Sequence, residues 1–331
     1  MTNYRAFVVN EIGDKSFAGQ VEELGSEQLP PGEVLISVEY SSINYKDALS
    51  ASGNKAVTRT YPHTPGIDAA GLVVASDSAK FKPGDKVIVT GYDLGMNTAG
   101  GFGQLIRVPL DWVVRLPSGL SLRESMILGT AGFTAALCVK KLLLNGLHPE
   151  QGQVVVTGAT GGVGIVALAL LSKLGFEVVA STGKTSAGEL LTTLGAASII
   201  DRAELSEANS KPLLKPRWAG AVDVVGGDTL SNVIKSLQYG ASVAACGLVQ
   251  SPGFQASVLP FILRGVNLLG IDSVELDLAA KQSMWDVLGA DWHLDKLDIL
   301  CHEIGFEQLD ESLQTVLSGG ASGRYLLNLR P

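Results

Sequence analysis

The sequence predicts an α/β chain of two domains: an N-terminal all-β barrel or sandwich, then a doubly wound parallel sheet of six strands. Three observations carry this. From Tyr4 to about Ser125, short β runs alternate with turn residues. From Gln153 to Lys184 the chain reads QVVVTGATGGVGIVALALLSKLGFEVVASTGK, a strand, a glycine turn, a helix and a second strand in that order. Beyond it, strand-like and helix-like stretches keep alternating as far as Gly270, as they must in a parallel sheet covered on both faces.

The β runs are, in order, RAFVVN, VLISVEYSSIN, AAGLVVAS, DKVIVTG, GQLIRVP and WVVRLP. Between them PPGE and FKPGDK are turns, each setting a proline beside a glycine. One helix is expected in this half, over residues 44–51, and residues 53–65 read as an irregular loop able to cover a site. Residues 123–144 have helical spacing and lead into the second domain. There Val154, Val155 and Val156 suit a strand buried on both faces, Gly158, Gly161, Gly162 and Gly164 crowd the turn, and residues 165–174 form a helix stopped by Gly175. The sheet continues with strands expected at 177–181, 197–200, 221–225, 241–246 and 266–270, and helices at 187–194 and 229–237. Helices near 278–288 and 306–317 precede a closing strand, 324–329, that returns to the first domain. The domains are therefore expected at 1–124 with 272–331, and at 125–271.

A chain of 331 residues is too long for one ordinary core. With 46% hydrophobic and 18% charged residues it is globular rather than disordered. A net charge of −8, with no basic run interleaved with aromatics, argues against a nucleic-acid partner. The start, MTNYRAFVVN, lacks the apolar run and cleavage site of a secretory signal. The most apolar run, residues 163–171, is too short to span a bilayer. A cytoplasmic protein without a membrane partner is expected. The three cysteines, Cys138, Cys246 and Cys301, are odd in number and widely spaced, and read as buried free thiols.

The glycine turn opens a helix directly after a strand, the context in which backbone N–H groups and the helix dipole meet a pyrophosphate. A dinucleotide is the expected ligand. NAD sites place an acidic residue about 20 positions past the glycines to hold the ribose hydroxyls. Here the second strand ends Ala180, Ser181, Thr182, Gly183, Lys184. Small hydroxyls and an ammonium suit a 2′-phosphate, so NADP(H) is expected, although Lys184 also reads as the start of a solvated helix.

SSINYKD, TPGIDAAG, FKPGDKV, VTGATGGVG, ACGL, FILRGV, GIDS and a terminal SGR together resemble the medium-chain dehydrogenase/reductase superfamily over essentially the whole chain. Within it they resemble the zinc-free quinone oxidoreductase group, and there the NADPH-dependent acryloyl-CoA reductases. The resemblance implies a GroES-like β-barrel domain joined to a Rossmann domain, and often a homodimer, pairing here through residues 266–270. It also implies cofactor contacts at Tyr45, Thr160, Gly161, Gly162, Val163, Thr182, Gly183, Lys184, Arg202, Leu248, Ile262, Ser273 and Arg324. Plain core packing remains open for Leu248 and Ile262, and surface exposure for Arg202 and Arg324. Where zinc-dependent relatives carry their first cysteine this chain has Ile43, Asn44 and Tyr45, and their Gly-His-Glu is Gly66, Ile67, Asp68. No zinc site is expected, and His63 with Asp68 reads as a chance pair.

The activity implied is hydride transfer to the β-carbon of an α,β-unsaturated carbonyl compound, followed by protonation at the α-carbon. An enoyl-CoA or a quinone is the implied substrate, and a non-catalytic NADPH-binding protein is the reading from another class. Charge developing on the carbonyl oxygen needs aimed donors. Tyr45 offers a phenol and Asn44 an amide. Tyr45 packed against the nicotinamide, and Asn44 as a helix cap, stay open. Lys46 and Asp47 read as helix-surface or structural residues, Tyr325 as a second phenol, and Lys55 and Arg59 as loop cations that could meet substrate phosphates.

Overall fold

The computed structural model describes residues 2–330, the side chain of Thr185 excepted. The chain divides into two compact units, Met1–Thr130 with Ser273–Pro331, and Ala131–Asp272. In the first unit come β1 (Asn3–Gly13), β2 (Ser16–Gly25), β3 (Val34–Ile43), α1 (Tyr45–Ala51), β4 (Asp68–Ser76), β5 (Lys86–Thr90), β6 (Leu105–Val108) and β7 (Val113–Arg115). Helix α2 (Leu122–Leu144) spans the division. The second unit holds β8 (Val154–Thr157), α3 (Gly162–Lys173), β9 (Val178–Thr182), α4 (Gly188–Thr193), β10 (Ala196–Asp201) and α5 (Ala203–Ser206). It continues through β11 (Trp218–Asp223), α6 (Gly227–Ser236), β12 (Leu237–Ala245), α7 (Leu259–Arg264) and β13 (Asn267–Gly270). The chain then re-enters the first unit as α8 (Leu278–Leu288), β14 (Cys301–Ile304), α9 (Leu309–Leu317) and β15 (Arg324–Asn328).

The second unit is built on a six-stranded sheet in the order β10-β9-β8-β11-β12-β13, every pairing parallel. This is the doubly wound order, with the reversal between β8 and β11, where ligands of such sheets bind. Val154, Val155 and Val156 are fully buried, because helices cover both faces of a parallel sheet. In the first unit, seven strands run β14-β15-β3-β4-β5-β7 with β6 on β3, around a core that includes Ile36, Val89, Phe102 and Ile106. The returning β15 lies antiparallel to β3, Tyr325 opposite Ile43.

Several elements depart from expectation for visible reasons. Strand β2 pairs with β1 along its length, yet none of its residues is buried, so its sequence carries no apolar alternation. Strand β11 begins at Trp218 and stops at Asp223, because the Asp223 carboxylate accepts the Gly226 N–H at 2.8 Å and turns Val224 and Val225 out of the sheet. Helix α2, at 23 residues, is long and apolar enough to cross a membrane, unlike the run at 163–171. It is broken at Gly129 (φ 51°, ψ −159°), and 67% of its most apolar window is buried in the protein, as in a core helix. All three cysteines are free thiols, but only Cys138 is buried. Cys246 follows the end of β12, and Cys301 opens the edge strand β14.

Candidate functional site

In the first unit, a polar cluster sits where β3 passes into α1. Asn44 is the residue between them, extended at φ −124°, ψ 162°. Its side-chain Nδ2 donates to Asp68 Oδ2 at 2.8 Å and to Asp47 Oδ2 at 3.3 Å, and its Oδ1 accepts from Arg324 Nη2 at 3.2 Å. Both amide protons are committed to carboxylates, so Asn44 holds the start of the helix and has no proton left for a substrate. Asp68 also accepts from Ser42 Oγ at 2.9 Å, Thr130 N at 2.9 Å and Thr130 Oγ1 at 2.6 Å. Asp47 takes the backbone N–H groups of Asn44 and Ile67, each at 2.8 Å.

The fold makes room for this cluster at one glycine. A Cβ on Gly129 would lie 2.1 Å from Ser42 Oγ and 2.6 Å from Asp68 Oδ2, and the residue's positive φ is one that other side chains resist. That break in α2 turns the Thr130 N–H onto the carboxylate.

Asp47 and Asp68 are fully buried and Arg324 is 3% exposed. Burial, and next the charge of Asp68, push the Asp47 carboxyl up from 3.8 to about 7. Burial likewise pulls Arg324 down from its ordinary value, opposed by the two carboxylates. Asp47, read from sequence as a helix-surface or structural residue, is therefore wholly interior. Arg324, assigned from sequence to the cofactor, gives its donors to Ile127 O (2.9 Å), Ile43 O (3.5 Å) and Asn44, beneath the start of α1. Tyr45, the next residue, stands 50% exposed.

His63 bonds Gly95 O through Nε2 at 2.9 Å and has no part in the Asp68 cluster. Among the described residues no group of three or more His, Cys, Asp or Glu side chains could hold a metal ion. Tyr325 rests against His302, their ring centroids 5.0 Å apart. Lys55 pairs with Glu11 at 3.2 Å and lies 4.6 Å from the centre of the Tyr61 ring. Ser273 is 9% exposed at the start of the returning segment.

In the second unit, Gly161 caps α3, so the N–H groups of Gly162, Val163 and Gly164 have no acceptor within the helix. A Cβ on Gly164 would sit 2.4 Å from Gly158 O, which is why the turn packs only with glycine there. The hydroxyls of Thr160 and Thr182 are 3.3 Å apart and buried, tying the turn to the end of β9. Thr182 also organises the corner beyond: its Oγ1 accepts the Lys184 N–H at 3.1 Å and its carbonyl the Arg202 N–H at 3.1 Å. A Cβ on Gly183 would meet Arg202 Nε at 2.7 Å and Cζ at 3.1 Å, so the guanidinium lies directly over Gly183. Thr182, Gly183, Lys184 and Arg202 thus form one cationic corner, and burial lowers the Lys184 ammonium from its ordinary value. Leu248 (58% exposed) and Ile262 (69%) stand outside the core, among other exposed apolar side chains that include Val249, Val258 and Leu263.

The sequence singles out the glycine turn, Lys184, Arg202 and Tyr45 as candidates. It passed over Ser42, Asp47, Asp68 and Thr130 as members of one cluster. The signal available was two acids and two hydroxyls flanking Asn44 and Gly129, with no apolar reason to be buried.

Two family descriptions match the chain: "Alcohol dehydrogenase GroES-like domain" over residues 30–118 and "Zinc-binding dehydrogenase" over residues 162–289. The acrylyl-CoA reductase AcuI of Ruegeria pomeroyi is 46% identical over 93% of this chain and 94% of its own. The putative quinone oxidoreductase YhfP of Bacillus subtilis is 46% identical over the same shares. Its structure with NAD bound superposes at a TM-score of 0.96, with 44% identity over 99% of this chain and all of that one. The yhdH oxidoreductase of Salmonella enterica, solved in complex with NADP, superposes at 0.95, with 42% identity over 98% of this chain and all of that one.

Proposed function

This chain belongs to the medium-chain dehydrogenase/reductase superfamily, in its quinone oxidoreductase group, and on that premise we propose that it reduces an activated carbon–carbon double bond with NADPH. The substrate assigned is acryloyl-CoA, reduced to propanoyl-CoA, in keeping with the name of the Ruegeria relative. The observation that carries the mechanism is the clamp on Asn44, which leaves the Tyr45 hydroxyl as the free donor at the head of α1.

NADPH, when bound, supplies the hydride for the β-carbon. The glycine turn fits its pyrophosphate: the N–H groups of Gly162 and Val163 have no acceptor within α3, the Gly161 N–H pins the turn to Gly158 O at 2.9 Å, and Thr160, Gly161, Gly162 and Val163 are assigned to the phosphate. The corner of Thr182, Gly183, Lys184 and Arg202 suits the 2′-phosphate by charge. Leu248, Ile262 and Ser273 are assigned to the nicotinamide half. As negative charge gathers on the substrate's carbonyl oxygen, the Tyr45 hydroxyl donates a hydrogen bond to it. Arg324 is reassigned from the cofactor to the positioning of Asn44, and through it of Tyr45. One matching family carries zinc in its description, but the buried Arg324 guanidinium beside Asp68 and Asn44 repels a dication.

On this reading the first unit is the substrate and catalytic domain and the second the nucleotide domain. Strand β13 is the terminal strand of its sheet, and its free edge is the proposed seam of a homodimer. The cytoplasm is the proposed compartment, where three free thiols persist. A quinone is the second reading, favoured by the name of the Bacillus relative. A panel of substrates followed by loss of NADPH absorbance decides. Turnover with acryloyl-CoA and not with small quinones is expected; the reverse selects the second reading, and NADPH binding without turnover of either overturns both.

A further inference from the structure

Lys281, on α8, has no exposed surface and is among the largest fully buried side chains. Met284, Trp285 and Leu288 on the same helix are buried as apolar residues should be, so the ammonium is the anomaly. Its Nζ donates to Thr90 O at 2.7 Å and to Val274 O at 2.9 Å, and lies 3.3 Å from the centre of the Tyr92 ring. A buried ammonium is tolerated only where carbonyl oxygens and a π face replace its water.

What it grips is more telling than how. Thr90 ends β5 and is paired with Asp68 across the β4–β5 ladder, and the next residue, Gly91, donates its N–H to Ile67 O at 3.1 Å. Asp68 is the main acceptor of the Asn44 amide. Val274 directly follows Ser273. The Tyr92 N–H reaches Val274 O at 3.3 Å, its hydroxyl donates to Leu276 O at 2.9 Å, and its ring stacks on Trp112 with centroids 5.6 Å apart. Tyr92 is held at φ 52°, a conformation a tyrosine adopts only when its surroundings impose it. A Cβ on Gly91 would lie 3.1 Å from Val274 Cα and 3.3 Å from Lys281 Nζ, so the two backbones are in close contact around the ammonium.

We propose that Lys281 is a positioning residue: by lacing the Thr90–Tyr92 turn to the Val274–Leu276 segment, it fixes the register between the strand that carries Asp68 and the segment that carries Ser273. The inference rests on the proposed function, in which Asp68 acts through Asn44 on Tyr45, and Ser273 meets the cofactor. A methylene shift of either partner would spoil the alignment on which a hydride transfer depends.

The test uses the intact protein with Lys281→Met, Lys281→Gln, Lys281→Arg and, as a control for lost core packing, Leu288→Ala on the same helix. At a temperature where circular dichroism shows each variant folded, kcat, KM for NADPH and the isotope effect from deuterated NADPH are measured with acryloyl-CoA. Lys281→Met is expected to lose about 10-fold or more in kcat and to change the isotope effect, as misalignment of reacting groups does. Lys281→Gln, which keeps a donor, should lose less and report the same trend if the methionine variant does not fold. Lys281→Arg should recover most of the rate, and Leu288→Ala should keep the wild-type isotope effect. Equal kinetic losses in Lys281→Gln and Leu288→Ala, or wild-type kinetics in Lys281→Met, overturn the proposal. If the wild-type protein does not turn over acryloyl-CoA, the proposed function fails separately. The proposal then stands or falls on NADPH affinity by fluorescence titration, weakened in the Lys281 variants and not in Leu288→Ala.

Discussion

Replacing Asp68 by asparagine tests the clamp with almost no change of shape, and its effect is expected to depend on pH in a direction the structure fixes. The carboxylate accepts four hydrogen bonds, from Ser42 Oγ, Asn44 Nδ2, Thr130 N and Thr130 Oγ1. Asparagine keeps one acceptor oxygen and turns an NH₂ on the remaining donors, while Arg324 loses a counter-charge. Breaking one partner of such a buried group costs about 3–5 kcal/mol. Asp47 works the other way. Its folded-state pKa of about 7 lies above its ordinary 3.8, so its contribution to stability is complete below pH 3.8 and is lost as pH rises through about 7. At about 1.4 kcal/mol for each tenfold in proton affinity, the loss is about 4 kcal/mol, part of which is repulsion from Asp68. Asp68→Asn removes that part. Its destabilisation should therefore be smaller at pH 8, where the wild type holds two ionised carboxylates, than at pH 5, where Asp47 is protonated. Urea unfolding of both proteins at the two pH values measures this, and contributions from groups elsewhere cancel in the difference. Equal destabilisation at the two pH values, or a larger one at pH 8, would refute the coupling of the two carboxylates.

Three smaller changes address the cofactor corner and the phenol. Gly183→Ala pushes a methyl into the Arg202 guanidinium, and KM for NADPH should rise by about tenfold while that for NADH changes little, with less than about 1 kcal/mol lost in stability. Lys184→Ala should weaken NADPH far more than NADH in equilibrium titrations, since it removes a charge opposite the 2′-phosphate; equal losses would move the phosphate elsewhere. Tyr45→Phe should lower kcat by about 100-fold, as loss of an oxyanion donor does, with little change in NADPH affinity. Unchanged turnover would make the ring a packing surface.

What the sequence made legible is what steric necessity writes into residue types. Gly158 and Gly164 could be read because the turn closes to within 2.4 Å of where a Cβ would stand, and no other residue fits. Strands β8 and β9 could be read because burial on both faces demands apolar runs rich in β-branched residues, as in VVVT and VVAST. Asp47 and Asp68 resisted for the opposite reason. An acid in a strand or in the first turn of a helix is ordinary at the surface, and only the assembled fold shows that Gly129, Thr130 and Arg324 converge on them, Arg324 from 280 positions beyond Asn44. Strand β2 was missed on similar grounds, since it pairs with β1 along its length while none of its residues is fully buried and only a few, Phe17 and Leu24 among them, pack partly against the core.

The same convergence changes the chemistry assigned to Asn44. From sequence, the Tyr45 phenol is the first donor for a developing enolate and the Asn44 amide the second, since an asparagine there also reads as a helix cap. An amide nitrogen has two protons, and here one points at each of two buried carboxylates, while the amide oxygen is taken by Arg324. For Asn44 to turn to a substrate it would have to leave Asp68 with an unmatched lone pair and Arg324 with an unmatched N–H, a cost of about 1.5–3 kcal/mol for each charged hydrogen bond lost. A single hydrogen bond to an enolate does not repay two such losses. The cluster therefore works by fixing rather than by donating. It holds the first residue of α1 in place and, on the proposed mechanism, leaves the half-exposed Tyr45 as the donor and the buried charges to aim it.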